Sequence, residues 1–534
     1  MIRRIRLFLA TLAVALLVGA GTTAAQTPAQ AADGWAPITG TGSTWSQNAL
    51  DQWRKNVDQN YGLKVNYSGV GSSAGRRDFI NGSVDFAISE IPFQANPEDG
   101  SQPEKPGSGY AYMPIVAGGT AFMYNLKIGG KRVTNLRLSG PVVTKIFTGA
   151  ITKWNDPAIQ ADNPGLAMPD RAITPVVRSD GSGSSAQFTL WMSKQHGDIW
   201  KRGMTSQFPT PANGKAQNGS LGVAGYVSQD YGEGAITYVE YSYAVKSGFP
   251  VAKILNSAGY YIEPTAPSVA VALLKAQINT DANSADYLTQ ILDGVYNNAD
   301  PRTYPLSSYS YLIVPTQVSG IFTQEKGRTL GAFAEYVLCE GQQSATVLGY
   351  SPLPMNLVLA GSDQLKRIPG ANAAGIDINS CNNPTFKPGD SPGNNQLAVS
   401  APQPAACDKQ GPDQCTTGTA GSAGTDTPVT GSGAGGSSAE AGGSAAGAQA
   451  AGAASADAAG AAAGDAVYDA DGNLVSGGGS VGTAAVAAST PFTVADDGSW
   501  KAPQFLMLAA GLLLLGAILV PPLTSRRLKR GTRG

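Results

Sequence analysis

Histidine is almost absent from this chain: His196 is the only one in 534 residues. That scarcity argues against a metal-dependent hydrolase, whose ligands come as clusters of His, Asp and Glu. Net charge is missing as well, since 37 Lys and Arg against 38 Asp and Glu leave −1. There is no overall pull toward nucleic acid or acidic partners, and no basic stripe with interleaved aromatics outside the C-terminal tail. Cysteine is sparse, and Cys339, Cys381, Cys407 and Cys415 lack the close pairs or histidines that a zinc site needs. An even number fits an oxidising compartment. The spacing suggests Cys339 with Cys381 and Cys407 with Cys415, one of the three connectivities that four cysteines allow.

The two ends are more explicit. "MIRRIRLFLATLAVALLVGAGTTAAQTPAQAAD" carries Arg3, Arg4 and Arg6, an apolar run from Leu7 to Val18, and small residues ending at Ala29-Gln30-Ala31. Residues 1–31 therefore read as a cleaved secretory signal, and without a cysteine there is no route to lipoprotein attachment. Ala502 to Leu523 is uncharged and long enough to cross a bilayer core of about 30 Å. The basic tail 524–534 should then stay cytoplasmic, which puts an extracellular domain at the cell surface, anchored in the plasma membrane by a C-terminal helix.

Between the ends the composition shifts once. From about Asp390, residues 391–501 are rich in Ala, Gly and Ser, with too little apolar bulk for a core. A flexible, disordered tether of that length would span on the order of 55 Å. Within it "YDADGNLV" has a glycine too early, and no closing glutamate, for a calcium loop, so it reads as a surface turn. Residues 33–390 alternate short strands ("LKVNYSGV", "SVDFAIS", "AYMPIV", "AITPVV") with helices. Trp45, Ala49, Trp53 and Val57 make one helical stripe. The pattern predicts α/β layers, and the length predicts two lobes.

Three loops in this region share one design. "ITGTGSTW", "GVGSSAG" and "RSDGSGSS" each follow an apolar strand and place glycines and hydroxyls where a helix begins. Free N–H groups at the positive end of a helix dipole form an anion site, although any one such loop can be simply a helix cap. Arg178 adds a planar charged fork, and Asp180 stands two residues on to hold it. Glu90, in "VDFAISEIPF", would repel an ordinary anion and suits only a ligand with a proton to donate, as hydrogen phosphate has and sulfate at neutral pH does not.

These residues resemble the Pst-type phosphate-binding proteins, the extracellular receptors of phosphate ABC transporters, here in a membrane-anchored variant. The resemblance is carried by "GTGSTW", "VNYSGVGSSAG", "SVDFAISEIPF", "FTGAITKWNDPAI", "VVRSDGSGSS" and "GAITYVEYSYA", in family order, over about Ile38 to Val358. It implies a type II periplasmic-binding-protein fold, with lobe 1 at about 33–116 and 304–390 and lobe 2 at about 117–303, closing by a hinge on one phosphate. It assigns phosphate contacts to Thr44, the backbone of Trp45, Ser72, Arg178 supported by Asp180, Ser182, Gly183 and Ser184, with Glu90 taking the ligand's proton. Three positions depart from the family: Glu90 stands for a usual aspartate, Trp45 for phenylalanine and Ser184 for threonine. The resemblance further implies a monomer that partners ABC permease subunits, uses no cofactor or metal, and is not an enzyme.

Two other functional classes compete for the same residues. "GSSAG", Gly71 to Gly75, matches the G-x-S-x-G elbow of hydrolases with Ser73 as nucleophile, but the triad would have to use His196, which precedes any late loop able to return the base. A surface scaffold, adhesin or sensor that reuses the fold is the alternative, with Glu90 and the anchor as its evidence.

Overall fold

The computed structural model describes residues 34–425 apart from 282 and 285, residue 427, and the backbone of two short strands at Val467–Tyr468 and Leu474–Ser476. The expected signal, most of the expected tether and the segment 502–523 lie outside the described residues. Among the described residues, no helix is long and apolar enough to cross a membrane.

One mixed sheet of eight strands organises the molecule. In chain order these are β1 (Ile38–Gly42), β2 (Val65–Gly69), β3 (Phe86–Ser89), β4 (Tyr110–Tyr124), β5 (Thr174–Arg178), β6 (Lys215–Gln217), β7 (Ala235–Glu240) and β8 (Ser307–Pro315). Their spatial order is β2-β1-β3-β8-β4-β7-β5-β6. The sheet changes ownership along β4, which pairs antiparallel with β8 over Tyr110–Gly119 and with β7 over Thr120–Tyr124. That exchange of partner divides the chain into the two expected lobes, joined at residues 119–120 and again near Tyr304.

The reading "AYMPIV" captured only the start of β4. Pro114 sits where the β8 register slips, Ser310 facing Val116 and Tyr311 facing Pro114, so the missing N–H falls at a bulge rather than ending the strand. Gly118 and Gly119 belong to the strand because side chains press on it there. A Cβ on Gly118 would lie 2.8 Å from the Trp45 ring, and one on Gly119 would lie 2.4 Å from Pro264.

The helices follow the expected patterns. Helix α1 (Gln47–Tyr61) buries Ala49, Leu50, Trp53 and Val57 and ends at left-handed Gly62, whose N–H reaches back to the Asp58 carbonyl while the next N–H, of Leu63, reaches Val57 O. Helices α2 (Ser72–Ile80), α3 (Gly183–Gln195), α4 (Gly219–Ser228) and α5 (Tyr241–Ser247) each start just beyond the carboxyl end of a strand: β2, β5, β6 and β7 in turn.

Both expected disulfides form, Cys339 to Cys381 and Cys407 to Cys415. The packed chain continues past the composition shift at 390. Gln396–Val399 is helical, Lys253 pairs with buried Asp408, Arg137 donates to the carbonyls of Cys407 and Asp413, and Thr427 accepts from the Thr134 N–H. A domain boundary at 390 thus falls inside the packed body. Polar contacts hold this tail together with small apolar residues, Ala398 and Ala401 against Ala270 and Val271 and Ala420 in a second cluster, so a composition without apolar bulk gave no sign of it. Farther on, Val467–Tyr468 and Leu474–Ser476 pair antiparallel, and the residues between them lie outside the described ones.

Candidate functional site

Each group singled out from sequence stands at or just beyond the carboxyl end of a strand, where α/β sheets place ligands. Thr44 follows β1, Ser72 follows β2, Glu90 follows β3, and Arg178 is the last residue of β5. All four are buried, Glu90 fully.

Two hydrogen-bonded groups result. In the first, Arg178 donates through Nε (2.7 Å) and Nη2 to the two oxygens of Asp180, while Nη1 lies 3.4 Å from Ser220 Oγ. Ser220 Oγ is 2.9 Å from Thr44 Oγ1, which also accepts from the Ser220 N–H, so lobe 1 and lobe 2 meet at this pair. Asp180 accepts as well from the N–H of Gly219, the left-handed residue opening α4. Burial raises the Asp180 pKa, but the Arg178 hydrogen bonds and charge together with the Gly219 N–H outweigh burial and hold it below its ordinary value.

In the second group, Glu90 accepts from Ser72 Oγ at Oε2 (2.8 Å) and from Ser310 Oγ at Oε1 (2.7 Å). Ser72 Oγ in turn accepts from the Gly183 N–H at the start of α3 (3.1 Å), a second crossing between lobes. A Cβ on Gly183 would lie 2.0 Å from Glu90 Oε2 and 2.7 Å from Ser72 Oγ, so any other residue would displace these two side chains. Ser73 makes a third crossing, its N–H donating to Gly181 O at 3.0 Å.

The three similar loops differ in detail. Ser182 is a cap, its Oγ accepting from the Ser185 N–H. Ser72 is not: the cap position is Gly71, at φ +91°, and the Ser72 hydroxyl faces Glu90. Ser184 Oγ is buried with no partner. The Trp45 N–H donates to Ser43 Oγ, and its ring packs edge-on against Tyr350.

Ser220 and Ser310 were missed by the sequence reading, and both carried a signal. "NGSLG" at Asn218 to Gly222 is a fourth loop of the glycine and hydroxyl design. Ser310 lies in a strand whose nine residues are all buried, where a hydroxyl needs a partner.

The hydrolase elbow does not assemble. Ser73 Oγ accepts from Arg76 Nη2, whereas His196 stacks edge-on against Trp191 and its Nε2 lies where a Cβ on Gly140 would be. No group of three or more His, Cys, Asp or Glu side chains that could hold a metal occurs among the described residues.

A family model described as PBP superfamily domain matches residues 20–340. A phosphate-binding protein PstS of Xylella fastidiosa is 34% identical over 325 residues, 60% of this chain and 82% of the relative. One of Haemophilus influenzae is 31% identical over 333 residues, covering 62% and 92%. The chain belongs to the PstS family of phosphate-binding proteins. A solved phosphate-binding protein from Stenotrophomonas maltophilia aligns with a TM-score of 0.47 at 18% identity, over 61% of this chain and 92% of that one. Membership in the family agrees with a two-lobed α/β receptor rather than an enzyme.

Proposed function

We propose that this PstS-family protein binds inorganic phosphate outside the cytoplasmic membrane and delivers it to an ABC permease. The observation that carries the reading is Glu90: a fully buried carboxylate that accepts from two hydroxyls and abuts the first residue of α3, with Arg178 the site's guanidinium. Because Asp180 already balances Arg178, an anion entering here is held mainly by hydroxyl and N–H donors: Thr44, Ser72, Ser184 and the first turn of α3. The Trp45 N–H joins them if Ser43 yields it, and Ser182 shapes the turn. Glu90 then takes the one hydrogen bond that only a protonated oxyanion can give, which favours hydrogen phosphate and repels sulfate. Its extra methylene over aspartate is compensated by Ser310, which fixes the second oxygen.

The family names, the Glu90 geometry and the sequence of the two ends support this reading together. The secretory signal and the C-terminal anchor, both outside the described residues, give the receptor its place at the cell surface as a tethered monomer. Calorimetric titration of the anion-stripped protein tests the proposal. Phosphate is expected to bind tightly at neutral pH with sulfate silent. Equal responses to the two anions, or none to either, would defeat it in favour of a surface scaffold.

A further inference from the structure

Segment 94–105 of lobe 1 leaves the sheet after β3, crosses to lobe 2 and returns to β4. Its base is closed on lobe 1: Gln94 N–H donates to Glu104 Oε2 and Glu104 N–H to Gln94 O, both at 2.8 Å. Glu104 also takes Nε and Nη2 of buried Arg76, at 2.7 and 3.1 Å. The segment lines a groove of about 430 Å³ together with Arg76 and Met204, and its tip makes end contacts on the far side.

Those end contacts are on lobe 2. Glu98 Oε2 accepts from the Met204 N–H and Asp99 Oδ2 from Thr205 Oγ1, both at 2.7 Å. The Ser101 N–H, 3.0 Å from Asp99 Oδ1, aims that carboxylate. Gly203 is left-handed at φ +68°, and a Cβ there would lie 2.2 Å from Glu98 Oε2, so the close approach depends on glycine.

Both ends of this link lead to the anion loops. Arg76 belongs to α2, whose first residue is Ser72, and its Nη2 also reaches Ser73 Oγ. On the other side Ser206 O accepts from the N–H of Ser182, the cap of α3, and the Thr205 backbone is bonded in both directions to Thr189 Oγ1 in the same helix.

We propose that segment 94–105 is an inter-lobe clasp, whose Glu98 and Asp99 determine how long the closed cleft retains its anion. It rests on the function proposed above for the ligand, though not for the closure itself. Its bonds to Met204 and Thr205 exist only with the lobes together, so they add to the closed state alone and slow release without touching the anion.

The full-length protein with Glu98→Ala and Asp99→Ala tests this, since both side chains belong to exposed residues and neither supports the core. Phosphate release followed by stopped flow should quicken about three- to tenfold, with association nearly unchanged. In the anion-free protein, exchange of the Ser73 amide, which donates across the cleft to Gly181, should quicken by a similar factor. Gly203→Ala, with the segment intact, should reproduce both effects. An unchanged Ser73 rate in the double variant overturns the clasp whatever phosphate does. A quickened Ser73 rate with unchanged phosphate release overturns its role in retention. Failure of the unaltered protein to bind phosphate defeats the receptor reading instead, while the exchange rate still reports on closure.

Discussion

Arg178 keeps its fork in place by giving two donor arms to Asp180, and the rest of the guanidinium faces Ser220 and Thr44. Removing it strands the Asp180 charge in a buried setting and removes the site's guanidinium. Truncating one member of a buried, hydrogen-bonded charge pair at a binding site costs about 2–5 kcal/mol of affinity, so Arg178→Ala should weaken phosphate binding by roughly one and a half to three and a half orders of magnitude. Arg178→Lys should recover little, because a point charge cannot engage both Asp180 oxygens while reaching the ligand. Trp45→Phe should change affinity less than about threefold, since the ring packs on Tyr350 and only the backbone turns toward the site. Calorimetry on the three variants checks the order; comparable losses for Arg178→Ala and Trp45→Phe would refute it. Acid supplies a second test. Asp180 is held below its ordinary value of 3.8, so its contribution to stability is complete above that value and is lost as pH falls through the lower folded one. Thermal melts from pH 5 downward should show Asp180→Asn to be less stable than the unaltered protein at pH 5 and to converge with it as the medium grows more acid.

At the scale of elements, the end of β7 sets up an opposite dependence. Glu240 is fully buried; Oε2 accepts from the Ser242 N–H at the start of α5, and Oε1 has no partner. Burial pushes its pKa well above the ordinary 4.5, only partly offset by the Ser242 donors. A carboxyl raised in the folded state binds more protons there than in the unfolded chain, so it subtracts stability as pH climbs above 4.5. Glu240→Gln, which keeps an oxygen for the cap, should come nearest the unaltered protein at about pH 4 and gain on it in melting temperature as pH rises. A constant gap between the two would mean that Glu240 is not the source. The element also bears on the site, because the Tyr243 hydroxyl of α5 donates to the Thr44 carbonyl. How much of this could be read in advance depended on the kind of signal. The α1 stripe and the strand-to-helix loops were legible because periodicity and turn chemistry are local. The full length of β4 was not, since Pro114 and Gly118-Gly119 act there as bulge and close-approach residues defined by partners far along the chain. Ser310 met Glu90 across 220 residues, and no local pattern encodes that pairing.

The molecule as a whole is closed by more than its sheet. After the last lobe 1 contacts the chain returns to lobe 2, where residues 404–427 supply acceptors and counter-charges to groups that would otherwise be buried alone. Arg137 is the decisive one. It is 1% exposed, and apart from the Asp162 carbonyl its guanidinium partners are the carbonyls of Cys407, Gly411 and Asp413. Lys253 similarly has both Asp408 oxygens at 2.8 Å. Ending the chain at residue 390 would strip both cations of these partners; a charge that stayed buried would cost about 3–5 kcal/mol, and water reaching the uncovered side chains lowers that figure. A chain ending at 427 should therefore melt with the full-length protein, and one ending at 390 should melt lower by several degrees, at roughly 1 °C for each kcal/mol in a domain of this size. Replacing Cys407 and Cys415 by serine should give a smaller loss, since a loop of only 8 residues is closed, about 2.5 kcal/mol by chain entropy. Calorimetric melts of the four proteins decide it. If the chain ending at 390 melts with the full-length protein, the tail only rests on lobe 2; if it melts lower while the 427 ending does not, the receptor domain extends past its composition boundary and any tether begins beyond it.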